Sequence, residues 1–334
     1  MKKEKKINIL ITALDRGLTG QGLTPQEALD FTSLTDEYIF DILAVSEKVR
    51  RRHKGMEVNL CSIVNAKSGM CREDCSFCSQ SIGYATGVSE YPMTSAAEIV
   101  KAATQAASSG AREFSIVTSG TGVEKDKDVE TLCEALEAMK GKVEMERCAS
   151  LGILKRTTLK RLKESGLESY HHNLETGRSF FPKICTTHDY EEDVSAVRAA
   201  KEEGLYVCSG GIFGLGEKWG HRVELAATLK ELDVDSIPIN FLDPRPGTPL
   251  EGAKNLSPFE CLRIIALFRL MMPSKDIVVC GGRPTNLRGL APLIFAAGAN
   301  GMMIGNYLTT PGQEPEEDLR MIADLGLKPR GHVH

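Results

Sequence analysis

The sequence predicts a single α/β domain, a (β/α)8 TIM-type barrel preceded by an N-terminal helical extension. Three observations carry that expectation. Short apolar runs alternate with amphipathic helical patterns over most of the 334 residues. The strand–helix unit recurs about eight times, as parallel βαβ construction in a barrel requires. No Gly/Ser-rich linker or low-complexity tract divides the chain. The expected organisation is an extension over 1–56, a barrel over 57–327 and a C-terminal tail over 328–334.

The extension opens on Met1-Lys2-Lys3-Glu4-Lys5-Lys6 and a short apolar stretch, Ile7 to Ala13, that runs into Asp15 and Arg16 without the cleavage site of a secretory leader. Thr24-Pro25-Gln26-Glu27 marks a helix start with proline at the first helical position, so residues 24–53 read as helices. Strands are expected at Val58–Val64, Glu113–Thr118, Val143–Ala149, Ser169–Asn173, Tyr206–Gly210, Ser236–Asn240, Ile277–Gly281 and Gly301–Ile304. Helices are expected between them, at Ser95–Ser109, Asp128–Met139, Thr157–Ser165, Tyr190–Glu203, Arg222–Leu232, Pro258–Met271 and Asn286–Ala297, with a last one at Glu314–Leu325.

A net charge of -4 gives no basis for a nucleic-acid or anionic-membrane partner. No apolar run approaches the ~20 residues that cross a bilayer, and a cytoplasmic location is expected. Ten cysteines are many for such a chain. In a reducing compartment they do not form a disulfide framework, so some should be metal ligands or catalytic groups. Others are small buried hydrophobes. Cys133 and Cys261 fall in amphipathic helical patterns and read as core. Cys61 is assigned to packing as well, although its strand does not say which side it faces.

Cys71-Arg72-Glu73-Asp74-Cys75-Ser76-Phe77-Cys78 follows the first strand in a polar loop. Three thiolates at this C-x3-C-x2-C spacing leave one iron of a 4Fe–4S cube without a protein ligand, an open position that a cosubstrate can occupy. A structural zinc site asks for four ligands, usually as two pairs, and no matching pair lies nearby. An electron-transfer ferredoxin supplies its fourth cysteine in the loop. On this motif the chain is identified as a member of the radical S-adenosylmethionine (SAM) superfamily, in which the open iron chelates the methionine end of SAM.

Beyond the loop, the chain from about Val58 to Leu327 resembles the biotin synthase family. Tyr170-His171-His172-Asn173-Leu174-Glu175-Thr176, Val207 to Glu217, Ile237-Pro238-Ile239-Asn240, Met271-Met272-Pro273 and Leu308-Thr309-Thr310-Pro311 carry the match in order. The resemblance implies that Asn173 and Glu175 lie at the SAM ribose, with Glu175 standing where the family usually has Asp. It implies further that Asn173 and Asn240 hydrogen-bond the ureido ring of dethiobiotin, and that Thr309 and Thr310 hold the substrate carboxylate. A carboxamide suits a cyclic urea because it offers both donor and acceptor. His171 replaces the family's usual Asn.

The family draws the inserted sulfur from an auxiliary iron–sulfur cluster inside the barrel, in its well-known form 2Fe–2S held by three cysteines and an arginine. Cys148 and Cys208 match two of those cysteines, whereas Ser115 and Val278 stand in place of the third cysteine and the arginine. Cys280, two residues after Val278, shares its side of the strand. Cys148, Cys208 and Cys280 on alternate strands therefore point to an auxiliary cluster of the 4Fe type rather than 2Fe–2S, with core packing as the alternative. Cys185, in Ile184-Cys185-Thr186-Thr187, stands either as a fourth auxiliary ligand reaching from a loop over the mouth or as loop filler. The implied activity is radical SAM sulfur insertion into dethiobiotin, with a flavodoxin- or ferredoxin-type reductant and a homodimer. The rivals are a radical SAM barrel of the hydrogenase-maturase or methylornithine-synthase type and, in another class, a non-catalytic iron–sulfur electron carrier.

Overall fold

The computed structural model describes residues 2–310 and 312–331, with side chains from residue 4. Pro311, quoted above within the Leu308–Pro311 match, and 332–334, assigned above to the tail, lie outside the described residues.

Three helices precede the barrel: α1 (Lys2–Leu18), α2 (Pro25–Thr32) and α3 (Ile39–Lys54). The start of α2 follows from its sequence, since Thr24 and Glu27 form a reciprocal capping box. The helix α1 lies within the expected helical extension but carries no capping signal, and its lysine-rich first turns mask the face that buries Ala13.

The barrel alternates β1 (Glu57–Lys67), α4 (Ala96–Ser108), β2 (Glu113–Thr118), α5 (Asp126–Met139), β3 (Glu146–Ser150), α6 (Arg156–Glu164), β4 (Ser169–His171) and α7 (Tyr190–Glu202). It continues with β5 (Tyr206–Cys208), β6 (Gly211–Phe213), α8 (Trp219–Glu231), β7 (Ser236–Phe241), α9 (Pro258–Met271), β8 (Asp276–Val279), α10 (Arg283–Leu287), β9 (Gly301–Met303), α11 (Pro315–Asp324) and β10 (Lys328–Pro329). All neighbours run parallel. The sheet closes where β1 pairs with β9, at Asn59↔Gly301, Leu60↔Met302 and Cys61↔Met303.

Three local differences from the sequence expectation have physical causes. The fifth barrel strand is broken into β5 and β6, both on β7, because Gly210 turns its N–H to Asn173 Oδ1 at 3.1 Å. A Cβ at Gly210 would lie 2.0 Å from the Pro238 carbonyl oxygen, so no other residue fits that break. The helix expected at Asn286–Ala297 is instead the short α10 followed by a 3-10 turn, Arg288–Ile294, since Pro292 cannot donate and Arg288 has φ +51°. Finally, Lys328–Pro329, expected in the tail, lies beside Glu57–Val58 at the start of β1.

Period-two alternation sorts the strand residues. Leu60, Ile116, Ala149 and Val207 face the helices and are buried, whereas Cys61, Ser115, Cys148 and Cys208 face the barrel interior. The helix α9 is buried along nearly its whole length, packed on β8 within and against α1, α2 and α3 outside. An all-round apolar helix needs such a cover. The extension supplies it.

Candidate active site

A cavity of about 680 Å³ runs inside the barrel from the cysteine loop at its mouth to the lower strand residues. That is the size of a small-molecule pocket. Interior barrel positions are ordinarily filled by branched aliphatic side chains. Here two groups of thiols occupy the two ends instead.

At the mouth, the loop after β1 holds Cys71 through Cys71 N to Gln80 O (3.1 Å) and Ile82 N to Cys71 O (2.8 Å), and a tight turn donates Cys78 N to Cys75 O (2.9 Å). Burial pushes the Cys78 thiol up to about 11, with the charge of Cys71 adding to it. Cys75 is raised much further, first by its hydrogen bond to Cys185 and then by burial. Thiols that raise one another in this way ionise together only against positive charge, which iron supplies. The three loop cysteines fit a cluster.

Cys185 belongs to this end. Its Sγ lies 3.9 Å from Cys75 Sγ, 3.3 Å from His188 Nδ1 and 3.5 Å from Thr187 Oγ1. The loop that carries it folds back over the cysteine loop, with Ser76 N donating to Ile184 O (2.8 Å) and Thr186 N to Asp74 Oδ1 (2.8 Å). The expectation of Cys185 as a fourth auxiliary ligand is therefore corrected: its tether holds it at the mouth. Hydrogen bonding from Cys75 and, against burial, from His188 holds the Cys185 thiol down at about 5. His188 is raised to about 11, first by its hydrogen bond to Asp193 and then by Cys185. Glu73, Cys185 and His188 stand within ligand distance of one another, and Asp193 also accepts from His172 at 2.8 Å.

Above the middle of the barrel, Asn173 and Asn240 face the cavity. Asn173 Oδ1 accepts from Gly210 N (3.1 Å) and its Nδ2 meets Glu175 Oε2 (3.4 Å). Asn240 Oδ1 accepts from Gly281 N (2.9 Å) and its Nδ2 donates to Gly211 O (3.3 Å). Glu175 sits in the left-handed region at φ +61°, where bulky residues are strained. A Cβ at Gly211 would stand 2.3 Å from its carbonyl oxygen, so glycine is what lets the two segments meet. Burial, then the charge of Asp193, raises the Glu175 carboxyl to about 8. His171 also lines the cavity, lowered to about 4 by burial and by His172. Thr309 and Thr310 lie at the mouth, on the loop after β9, where Tyr307 N donates to Thr310 O (2.9 Å).

At the lower end Cys148, Cys208 and Cys280 reach the same cavity. Burial drives Cys148 and Cys208 well up, Glu113 adds to both, and Cys148 adds to Cys208. Glu113 is itself raised to about 7 by burial and by Glu146, and accepts from Asn59 Nδ2 at 3.3 Å. Ser115 and Ser169 stand directly opposite Cys148 on β2 and β4, and their hydroxyls lie against its thiol. Buried hydroxyls beside clustered thiols suit a group with sulfide acceptors. The standard ligand set does not fit, because Ser115 and the apolar Val278 hold two of its positions; a cysteine-ligated cluster does.

Of the three cysteines that the sequence assigns to packing, Cys61 differs from Cys133 and Cys261. It faces the cavity and rests against Cys280, the strongest influence on its thiol, which is raised well above the ordinary range. Its signal in the sequence was weak: Cys61 and Ile63 share a side of β1, but only barrel closure fixes that side as inward. Cys133 and Cys261 are buried in α5 and α9, as expected for core residues.

A parallel (β/α)8 barrel with a three-cysteine loop after its first strand and a cavity leading from it defines a radical SAM enzyme. Residues 67–229 match the Radical SAM superfamily, and 238–328 match the Biotin and Thiamin Synthesis associated domain. The chain belongs to the biotin synthase family. It is 49% identical over 320 residues to a biotin synthase of Pelobacter propionicus, covering 96% of this chain and 98% of that one. Against a biotin synthase of Trichlorobacter lovleyi the identity is 50% over 310 residues, 93% of each chain. Among solved structures, a methylornithine synthase superposes with TM-score 0.83 at 22% identity, covering 96% of this chain and 98% of that one. A maturase of the FeFe-hydrogenase superposes with TM-score 0.82 at 14% identity, covering 96% and 76%. Those two share the fold. The cofactors of this chain are accordingly a 4Fe–4S cluster, SAM and an auxiliary iron–sulfur cluster.

Proposed function

We propose that this chain converts dethiobiotin to biotin by radical SAM sulfur insertion, with Cys71, Cys75 and Cys78 holding the SAM cluster and Cys148, Cys208 and Cys280 holding a 4Fe-type auxiliary cluster. The observation that carries the reading is the single cavity joining the two thiol groups. When bound, these groups supply a 5′-deoxyadenosyl radical at one end and the sulfur atom at the other.

The protein's own residues bind, orient and shield. Asn173 and Asn240 each keep one N–H and one lone pair beyond the backbone contacts described, which suits a cyclic urea. Thr309 and Thr310 at the mouth suit the carboxylate, which places the substrate's reacting carbons deeper in the barrel. Glu175 offers its carboxyl oxygens to ribose hydroxyls. Ile63, Val117, Ile212 and Val278 wall the space between and keep it dry, so a carbon-centred radical meets no competing donor.

A flavodoxin- or ferredoxin-type reductant, a homodimer and a cytoplasmic setting complete the reading, as does a catalytic unit over 57–327 with 1–56 as its cover. No helix among the described residues is long and apolar enough to cross a membrane. The deciding assay is 5′-deoxyadenosine formation with dithionite and SAM under anaerobic conditions. Dethiobiotin should stimulate it and yield biotin. Formation that ignores dethiobiotin would return the chain to a maturase-like or methylornithine-synthase-like chemistry, and none at all to an electron carrier.

A further inference from the structure

Three cysteines account for the lower site only if one metal position goes without a protein ligand. The strand opposite them offers another thiol. Cys61 lies on β1, next to the closure of the barrel, and its side chain enters the same cavity as Cys148 of β3, Cys208 of β5 and Cys280 at the end of β8. Its side chain shares that cavity with theirs, and β1, β3 and β5 are alternate strands of the barrel, which contribute to common interior layers; Cys280 is the group that acts most strongly on its thiol. Val278, two residues below Cys280, has no ligating atom, and Ser115 offers only a hydroxyl beside Cys148.

We propose that Cys61 is the fourth thiolate ligand of the auxiliary cluster, completing with Cys148, Cys208 and Cys280 an all-cysteine set drawn from four strands. This rests on the auxiliary-cluster reading above and deepens it. Four strands placed around the barrel present their sulfurs to a common centre, as four-cysteine ligation of a cuboidal cluster requires. Ser115 and Ser169, flanking Cys148, are then placed as hydrogen-bond donors to the cluster's sulfur atoms. Plain packing explains one buried cysteine readily. It does not explain four that line one cavity, with serine hydroxyls beside them.

The test isolates the lower site in a Cys71→Ala/Cys75→Ala/Cys78→Ala protein, reconstituted anaerobically with ⁵⁷Fe and sulfide. Iron content, Mössbauer spectra and the rate of iron loss to a chelator are read with Cys61→Ala, Cys61→Ser or the helix-core control Cys133→Ala added. Far-UV circular dichroism checks that each variant is folded. The isolated site should hold about four irons. Cys61→Ala should lose iron from it or release iron about tenfold faster or more. Cys61→Ser should shift the quadrupole doublet of one iron, as oxygen replaces sulfur, and Cys133→Ala should change nothing. If both Cys61 variants match the parent in count, spectrum and release rate, Cys61 is a packing residue and the proposal falls. If the parent itself binds no iron, the auxiliary-cluster reading falls first and takes this one with it.

Discussion

Asn240 and Asn173 each commit one N–H and one oxygen lone pair of the carboxamide to the barrel and keep the others for the cavity. Asn240 bridges the Gly211 carbonyl and the Gly281 amide across β6 and the end of β8, so the side chain is aimed before any ligand arrives. Asn240→Ala should raise the KM for dethiobiotin about tenfold or more, the cost of a lost buried hydrogen bond and its unpaired partner. Steady-state biotin formation checks it; an unchanged KM would remove Asn240 from the substrate site. Glu175 supports a second prediction at this scale. Its carboxyl titrates at about 8 in the fold against 4.5 ordinarily. Between those values the unfolded chain has lost a proton that the folded chain keeps, so this group's contribution to stability declines as pH rises through that window. Below about 4.5 the contribution is flat, and the penalty is complete above about 8. Glu175→Gln should therefore reduce the fall in melting temperature of the cluster-free protein between pH 5 and pH 8. An identical fall in both proteins would show that the carboxyl ionises freely.

Among the elements, α9 carries the clearest prediction. Arg269 is wholly buried on it, donating Nε to Gly298 O (2.7 Å), Nη1 to Pro273 O and Lys275 O (2.8 Å each) and Nη2 to Asn300 Oδ1 (2.7 Å). Asn300 in turn accepts from Ile277 N (2.8 Å) and donates to Asp276 Oδ1 (2.6 Å). One guanidinium thus ties together the approaches to β8 and β9. Arg269→Leu should cost about 3 kcal/mol or more, read by urea unfolding, because several carbonyls are orphaned together. A loss under about 1 kcal/mol would mean that water replaces the guanidinium. At this scale the sequence was legible where a signal is local and alternation is strong. The capping box of α2, the run of Pro258–Met271 and the three-cysteine loop each lie within a few consecutive residues. It was opaque where the deciding contact is distant. Cys185 reads as a loop residue until the segment after β4 is seen to fold over Asp74 and Cys75, and the side that Cys61 faces is set by β9, at the far end of the chain. In the turn after α10, Pro292 and Arg288 at φ +51° stand in the sequence as a proline and an arginine, and only the proline carries a warning.

Taken whole, the molecule is one tube with a group of thiols at each end and a substrate-sized space between. Anaerobic reconstitution should give about eight irons per chain, and Cys148→Ala/Cys208→Ala/Cys280→Ala should leave about four. Mössbauer spectra of the two proteins check this; four irons in both would mean that the lower thiols are core filling. The helical extension packs on α9, on the outside of the barrel, away from the cavity, so its removal should lower stability without altering the spectra of clusters that form.

The seam between β1 and β9 also has a consequence for how the protein is made. Cys61 and Met302, in contact across that seam, are 241 residues apart. While the chain is still emerging from the ribosome, β1 has an open edge and no partner on that side, a state prone to mispairing and aggregation. Cys280 and Cys61 cannot meet until nearly the whole polypeptide has been released. A cluster held by these thiols would for that reason form only after nearly the whole chain is made, and a nascent chain stalled before Gly301 would lack the closed barrel that brings them together.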